Sequence, residues 1–307
     1  MPKLPDGLIA FGSHANCTLD LCPIEASILQ YQPSIPGNAV IAALFGVSML
    51  IHLVQGLKWR QWSFMICLIV GCLDQIIGYV GRILLSKNPF SFNAFIIQIV
   101  CITTAPVFFC AAIYVLLVRT INHLDPSISR FPSKLFAWVF IPFDIVSLIL
   151  QALGGALSAT QASSGNKSGV NISMGGLILQ VITLGIFVIL FADYVVRYIR
   201  HPLRPVGSRL KLFLAFLFLA IILVLVRCAY RIEELSDGYD GPLIRDEALF
   251  VGLESVMMVL AVFCLNIAHP GFVFGREPAR SAGIGYSATP ASEQVMQQKD
   301  FSYSSSG

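Results

Sequence analysis

The sequence predicts an all-α membrane protein, a bundle of seven transmembrane helices with its N-terminus outside and its C-terminus in the cytosol. Three observations predict it. The 307-residue chain is 56% hydrophobic and only 12% charged, with a mean hydropathy of +0.77, whereas a soluble domain carries about 25% charge. Seven apolar runs follow one another, each near the ~20 residues that a helix needs to cross a bilayer. Lysine and arginine are divided unevenly between the loops those runs define.

Taken in order, residues 1–35 are rich in Pro, Ser, Asn and Gln and read as a loose extracellular tail. Leu8–Phe11 is too short for a signal-peptide core and no basic segment with a cleavage site accompanies it, so the first span is expected to do the targeting. The membrane domain occupies 36–272, with spans at about 38–57, 62–85, 92–118, 135–159, 173–196, 209–230 and 246–268. Helices are required because lipid-facing backbone must satisfy its own hydrogen bonds. Residues 273–307 are rich in Ser, Gly, Ala and Gln, lack a helical period and read as a disordered cytosolic tail. No internal repeat is visible.

Orientation follows from the basic residues. One side holds thirteen of them: Lys58, Arg60, Arg119, Arg130, Lys134, Arg197, Arg200, Arg204, Arg209, Lys211, Arg276, Arg280 and Lys299. The other holds five: Lys3, Lys87, Lys167, Arg231 and Arg245. The thirteen-residue side is therefore cytosolic. Three glycosylation sequons, at Asn16, Asn166 and Asn171, all fall on the outer side. Of eight cysteines, six lie in spans and read as small buried hydrophobes. Cys17 and Cys22 face the oxidising side and are expected to form a disulfide.

Several function classes are excluded or disfavoured. There is no long basic run or nucleic-acid reader motif. Asn166, Lys167 and Ser168 lack the glycines of a phosphate-cradling loop, so ATP-driven pumping by this chain is not expected. His52 and His269 are the only histidines in or near spans, without a metal-ligand spacing, and no G-x-S-x-G elbow occurs. The chain is read as a non-enzyme with no metal and no cofactor.

Polar residues inside the spans carry the functional signal. Gln75, Tyr79 and Arg82 share one helix face, with Asp74 on an adjacent one. The third span has Gln98, Thr103, Thr104 and Tyr114, and Pro106, which removes a backbone donor and directs the helix toward whatever refills that bond. Asp144 and Gln151 lie seven apart on the fourth span, and Gln180 on the fifth. Lone Gln or Thr residues at such positions are most often interhelical glue. Arg227, Arg231 and Glu234 share a face of the sixth span, and Glu247 and Glu254 one of the seventh. Gly238 and Gly241 in the short link bring the two together. Such charges can snorkel to water without any function, but both signs recur here at helical spacing. A charged group at bilayer depth costs about 2.5–3.5 kcal/mol on insertion scales. Asp74 or Asp144 is therefore expected to pair with an arginine of another span, Arg82 or Arg227.

These residues resemble a known pattern. Gly78-Tyr79 with Arg82, Gln98 with Ala105-Pro106, Ala112 with Tyr114, Phe143-Asp144 with Gln151 and Gly154-Gly155, Gly176-Leu177 with Gln180, Arg227 with Arg231 and Glu234, Gly238 and Gly241 with Glu247, and His269-Pro270-Gly271 occur in that order on successive spans. The chain is similar here to the fungal RTA-like, or lipid-translocating exporter, family of seven-span proteins. One departure stands out: where the family pattern has Glu three residues before the Gly-Tyr pair, this chain has Gln75, with Asp74 beside it. The resemblance implies a fungal plasma-membrane protein that exports or flips amphipathic lipids such as sphingoid long-chain bases and gives resistance to toxic amphiphiles. One branch of the family is linked to porphyrin traffic. The partners implied are membrane lipids or amphiphilic small molecules. The substrate-binding set is read as Asp74, Tyr79, Arg82, Asp144, Gln151, Gln180, Arg227, Arg231, Glu234, Glu247 and Glu254. The alternative is a seven-helix lipid sensor of membrane stress. The absence of D-R-Y and N-P-x-x-Y signatures speaks against a G-protein-coupled receptor.

Overall fold

The computed structural model describes residues 8–10, 12, 15–124, 128–130, 132–160, 168–200, 207–236 and 243–275. The chain divides into two units, Met1–Arg276 and Glu277–Gly307, of which the second lies outside the described residues. The tail expected beyond Gly275, the sequon at Asn166 and the link through Gly238 and Gly241 lie outside them as well.

Seven helices are long and apolar enough to cross a membrane: α1 (Ile35–Trp59), α2 (Trp62–Lys87), α3 (Phe92–Leu124), α4 (Ser133–Thr160), α5 (Ser168–Arg200), α6 (Ser208–Ser236) and α7 (Glu247–Phe274). The protein is an all-α membrane protein built as a seven-span bundle, with no strand among the described residues. The helices overrun the apolar runs. Both α3 and α5 are 33 residues long, because backbone hydrogen bonding does not stop where hydropathy falls. The Ser34 side chain caps α1 by accepting from the Gly37 amide at 3.4 Å. Arg60, at φ 57°, ends α1 in a left-handed turn and reverses the chain into α2.

Within the bundle, α2 packs on α3, α4 on α5 and α6 on α7. Small residues set the closest approaches, as expected where lipid gives helices no hydrophobic reason to associate. A Cβ on Gly78 would lie 2.6 Å from Ile102 Cγ1, and one on Gly81 2.9 Å from the Gln98 amide nitrogen. That closeness brings Arg82 alongside α3. On the other side of the bundle, a Cβ on Gly176 would meet the Ser147 carbonyl at 2.7 Å. The core between α3, α4 and α5 is aromatic, with Tyr114, Phe136, Phe140, Phe187 and Phe191 buried together. Large apolar side chains such as Trp138, Ile189 and Val54 point outward, as suits a surface whose solvent is hydrocarbon.

The N-terminal segment departs from the loose tail expected. Cys17 and Cys22 are disulfide-bonded and buried with Ala26 and Phe90. Leu29 packs on Leu85, Ala94 and Phe95. Gln32 Nε2 donates to the Ser86 carbonyl at 2.5 Å, and Ser86 Oγ donates to the Pro33 carbonyl. The segment is a strap over the ends of α2 and α3. Its few apolar residues find cover there, which composition averaged over 35 residues conceals.

Candidate functional site

Arg82 of α2, Arg227, Arg231 and Glu234 of α6 and Glu254 of α7 converge beneath this strap. Arg227 is fully buried, at 0% exposure, and its Nε and Nη2 donate to Glu254 Oε1 at 2.7 and 2.5 Å. Glu254 is equally buried, at 1%. It lies in a π-helical segment of α7, Phe250–Val256, and a wider turn of this kind within an α-helix often marks a functional position. Arg227 Nη2 also donates to the Ile102 carbonyl of α3 at 2.8 Å. One turn further along α6, Arg231 Nη1 donates to Glu234 Oε2, and Arg231 Nη2 reaches Thr103 Oγ1 at 3.4 Å.

Next to these pairs a cleft opens between α2, α3, α6, α7 and the strap. Its polar wall is Arg82, Gln98, Arg231 and Glu234, and its apolar wall includes Leu29, Phe95, Ile99 and Phe250. Arg82 is wholly buried. Its Nη2 donates to the Tyr31 hydroxyl at 2.5 Å, and its guanidinium lies 3.8 Å from the Phe250 ring centroid and 5.8 Å from that of Tyr31. Burial raises the Tyr31 phenol above its usual pKa, Arg82 lowers it, and the Glu247 and Glu234 carboxylates raise it further, with a net rise, so the oxygen that meets Arg82 is a neutral hydroxyl. Tyr79 is buried below, 6.0 Å from the Phe45 ring. The lining thus sets charged and hydrogen-bonding groups on one side and phenylalanine and leucine on the other.

The sequence-predicted residues divide into several groups. Arg82, Arg231 and Glu234 line the cleft, with Arg227, Glu254 and Tyr79 packed behind it. Glu247 accepts from the Ser34 amide at 2.8 Å, so it ties α7 to the start of α1 and is not in the cleft wall. Gln151 Nε2 donates to Gln180 Oε1 at 2.9 Å, joining α4 to α5 outside the cleft. Asn16 and Asn171 are exposed.

The expected pairing of Asp74 or Asp144 with an arginine is not what the structure has. Thr104 Oγ1 donates to half-buried Asp74, and Tyr114 Oη donates to Asp144 Oδ2 at 2.9 Å. Neither carboxyl forms an ion pair among the described residues, because hydroxyls of α3 serve them and Arg227 is taken by Glu254. Nor does Asp74 substitute for a carboxylate at Gln75. Gln75 is buried, with both side-chain polar atoms unpartnered among the described residues, while Asp74 turns to Thr104. His269 packs against Trp59 and Phe64, and no cluster of three metal-ligating side chains occurs among the described residues.

Sequence reading missed Leu29, Tyr31 and Phe250 as site residues and left Gln98 outside the binding set. Gln98 was recoverable, since it lies four residues before Ile102 on the face that meets α2. Leu29 and Tyr31 carry no periodic signal.

The structure therefore defines a class: a polytopic membrane protein with a charged cleft between helices at one end of the bundle. Comparison with known proteins narrows it. The family described as RTA1 like protein matches residues 68–277, and the chain belongs to that family. It is 31% identical to the sphingoid long-chain base transporter RSB1 of Saccharomyces cerevisiae over 279 residues, covering 79% of this chain and 73% of that protein. It is 32% identical to protein RTM1 of the same yeast, covering 70% and 69% of the two chains. With protoporphyrin uptake protein 1, also from that yeast, it shares 30% identity over 67% of each chain. No solved structure matches.

Proposed function

We propose that this protein is a transporter that moves amphipathic lipids, sphingoid long-chain bases among them, across or out of the membrane, and that it is not an enzyme. The observation that carries the reading is the cleft. Buried Arg82, Gln98 and Glu234 face the same space as Leu29, Phe95 and Ile99, which matches the two-part chemistry of an amphiphile. The similarity to a long-chain base transporter supports the substrate class. Resistance to toxic amphiphiles follows from efflux of the same kind of molecule.

The N-terminus is placed outside and the C-terminus in the cytosol, with an extracellular segment 1–35, a membrane domain 36–272 and a cytosolic tail 273–307. The basic-residue asymmetry supports this, as does a disulfide in the N-terminal strap. The cleft, which the strap borders, then opens toward the outer leaflet of the plasma membrane, and Asn16, Asn166 and Asn171 are candidate glycosylation sites. The test is initial-rate movement of a fluorescent long-chain base in vesicles containing only this protein. Protein-dependent movement supports a transporter. Binding without movement supports a lipid sensor instead.

A further inference from the structure

We propose that the cleft selects amphiphiles whose head group carries an anionic oxygen group, a phosphate monoester or a carboxylate, and that Arg82 anchors it. The inference rests on the reading that a lipid head occupies the cleft. It begins with a charge imbalance. Arg227 is matched by Glu254 and Arg231 by Glu234. Arg82 is as buried as Arg227, yet no carboxylate of the described residues forms an ion pair with it. Its Nε is buried without a partner among the described residues, and its one described hydrogen bond goes to the neutral Tyr31 hydroxyl.

A buried cation with no ion-pair partner among the described residues is costly, and here Arg82, itself wholly buried, lines the cleft. The Phe250 ring at 3.8 Å lies against the guanidinium. Aromatic rings hold such a group by its flat face, which leaves the N–H edge for hydrogen bonding. Arginine donors match carboxylate and phosphate oxygens, often two at a time. Tyr31 belongs to the strap, outside the helix bundle, so its hydroxyl is a stand-in that an incoming oxygen can displace. Gln98 Oε1, buried across the cleft and unpartnered among the described residues, accepts a hydroxyl or ammonium hydrogen from the same head. The ligand class is an amphiphile with an anionic oxygen group beside a hydrogen-bond donor. A phosphorylated long-chain base fits it better than the free base.

The test measures binding of same-chain probe pairs to the full-length protein in a non-ionic maltoside detergent: phosphorylated sphingosine against sphingosine, and oleate against oleylamine. The anionic member of at least one pair should bind about tenfold tighter or more. Preference in both pairs assigns the site to anionic oxygen groups at large, and preference in the first pair alone assigns it to phosphate. Arg82→Gln should abolish the preference, Arg82→Lys should retain part of it, and Tyr31→Phe should retain it in full. Equal or tighter binding of the amines overturns the inference, as does a preference that survives in Arg82→Gln. If the free base still moves in vesicles while the amines bind as well as the anions, the transport reading stands and this one falls. If no probe binds and no lipid moves, both fall.

Discussion

Arg227 of α6 donates to the carbonyl of Ile102 in α3 at 2.8 Å. In an unbroken α-helix that carbonyl would accept from the amide of residue 106, which here is a proline with no N–H. The arginine supplies the missing donor, and Glu254 neutralises it from α7. One guanidinium thus ties three helices at the floor of the cleft. Replacing Arg227 with Met should leave both Glu254 and the Ile102 carbonyl buried without their donor, at a cost of about 3–5 kcal/mol. Thermal unfolding in detergent reads this directly. Adding Pro106→Ala, which restores a helical donor to Ile102, should return about 1 kcal/mol. Equal midpoints for the single and double variants would refute the role given to the Ile102 carbonyl.

A second prediction concerns Asp144, which accepts from the Tyr114 hydroxyl while its other oxygen is unpartnered among the described residues. With no cation beside it, the charge has no structural task. Asp144→Asn keeps the acceptor, so stability should change by less than about 1 kcal/mol. Tyr114→Phe removes the one donor that this buried carboxyl has among the described residues and should cost about 1–3 kcal/mol. The reverse order of melting temperatures would show that Asp144 serves a cation after all.

How far the site is legible in the sequence depends on the kind of interaction. The helices are legible because burial in hydrocarbon demands long apolar runs. The face of Arg227, Arg231 and Glu234 is legible because helical spacing alone places them. The partners of Asp74 and Asp144 are not, since the insertion cost says that a carboxyl needs an answer but not whether a cation or a hydroxyl gives it. Glu247 and Glu254 lie seven residues apart, yet they serve different neighbours, Ser34 and Arg227. The π-helical segment that intervenes has no sequence signature. Tyr31 is hidden for a different reason: its contact with Arg82 spans 51 residues and belongs to a segment whose composition reads as a tail.

The strap gives a third prediction. Cys17 and Cys22 close a short loop whose sulfurs are buried against Ala26 and Phe90. Mass spectrometry of the unreduced N-terminal peptide should find them linked. Replacing both with Ser should loosen the strap by about 2 kcal/mol on loop-entropy grounds. Hydrogen exchange should then rise over residues 17–34 and stay unchanged in α4 and α5. Two free thiols in the native protein, or exchange that does not respond, would remove the disulfide from the account.

Topology is checked from both ends. With thirteen basic residues on one side and five on the other, a protease added to intact cells should remove an N-terminal tag and spare a C-terminal one. The opposite pattern would turn the cleft toward the cytosol and reverse the direction in which a lipid head leaves it.

The last prediction separates two glutamates that spacing alone treats alike. Glu234 lines the cleft and is engaged by Arg231, whereas Glu247 accepts from the Ser34 amide outside it. A Gln at either position keeps the shape and a carbonyl acceptor while removing the charge. Glu234→Gln removes from the cleft wall the carboxylate that Arg231 engages, so it should change how a lipid head is held. Such a head interaction is worth about 1.5–3 kcal/mol when charge-assisted, so long-chain base movement in vesicles should fall about tenfold or more. Glu247→Gln replaces one acceptor for a backbone amide with another, and movement should stay within about twofold of the parent. Both variants should reach the cell surface at the parent's level. Equal movement by all three proteins would remove Glu234 from the site. Failure of Glu234→Gln alone to reach the surface would make the Arg231–Glu234 pair, one turn of α6, a structural support and not a binding group.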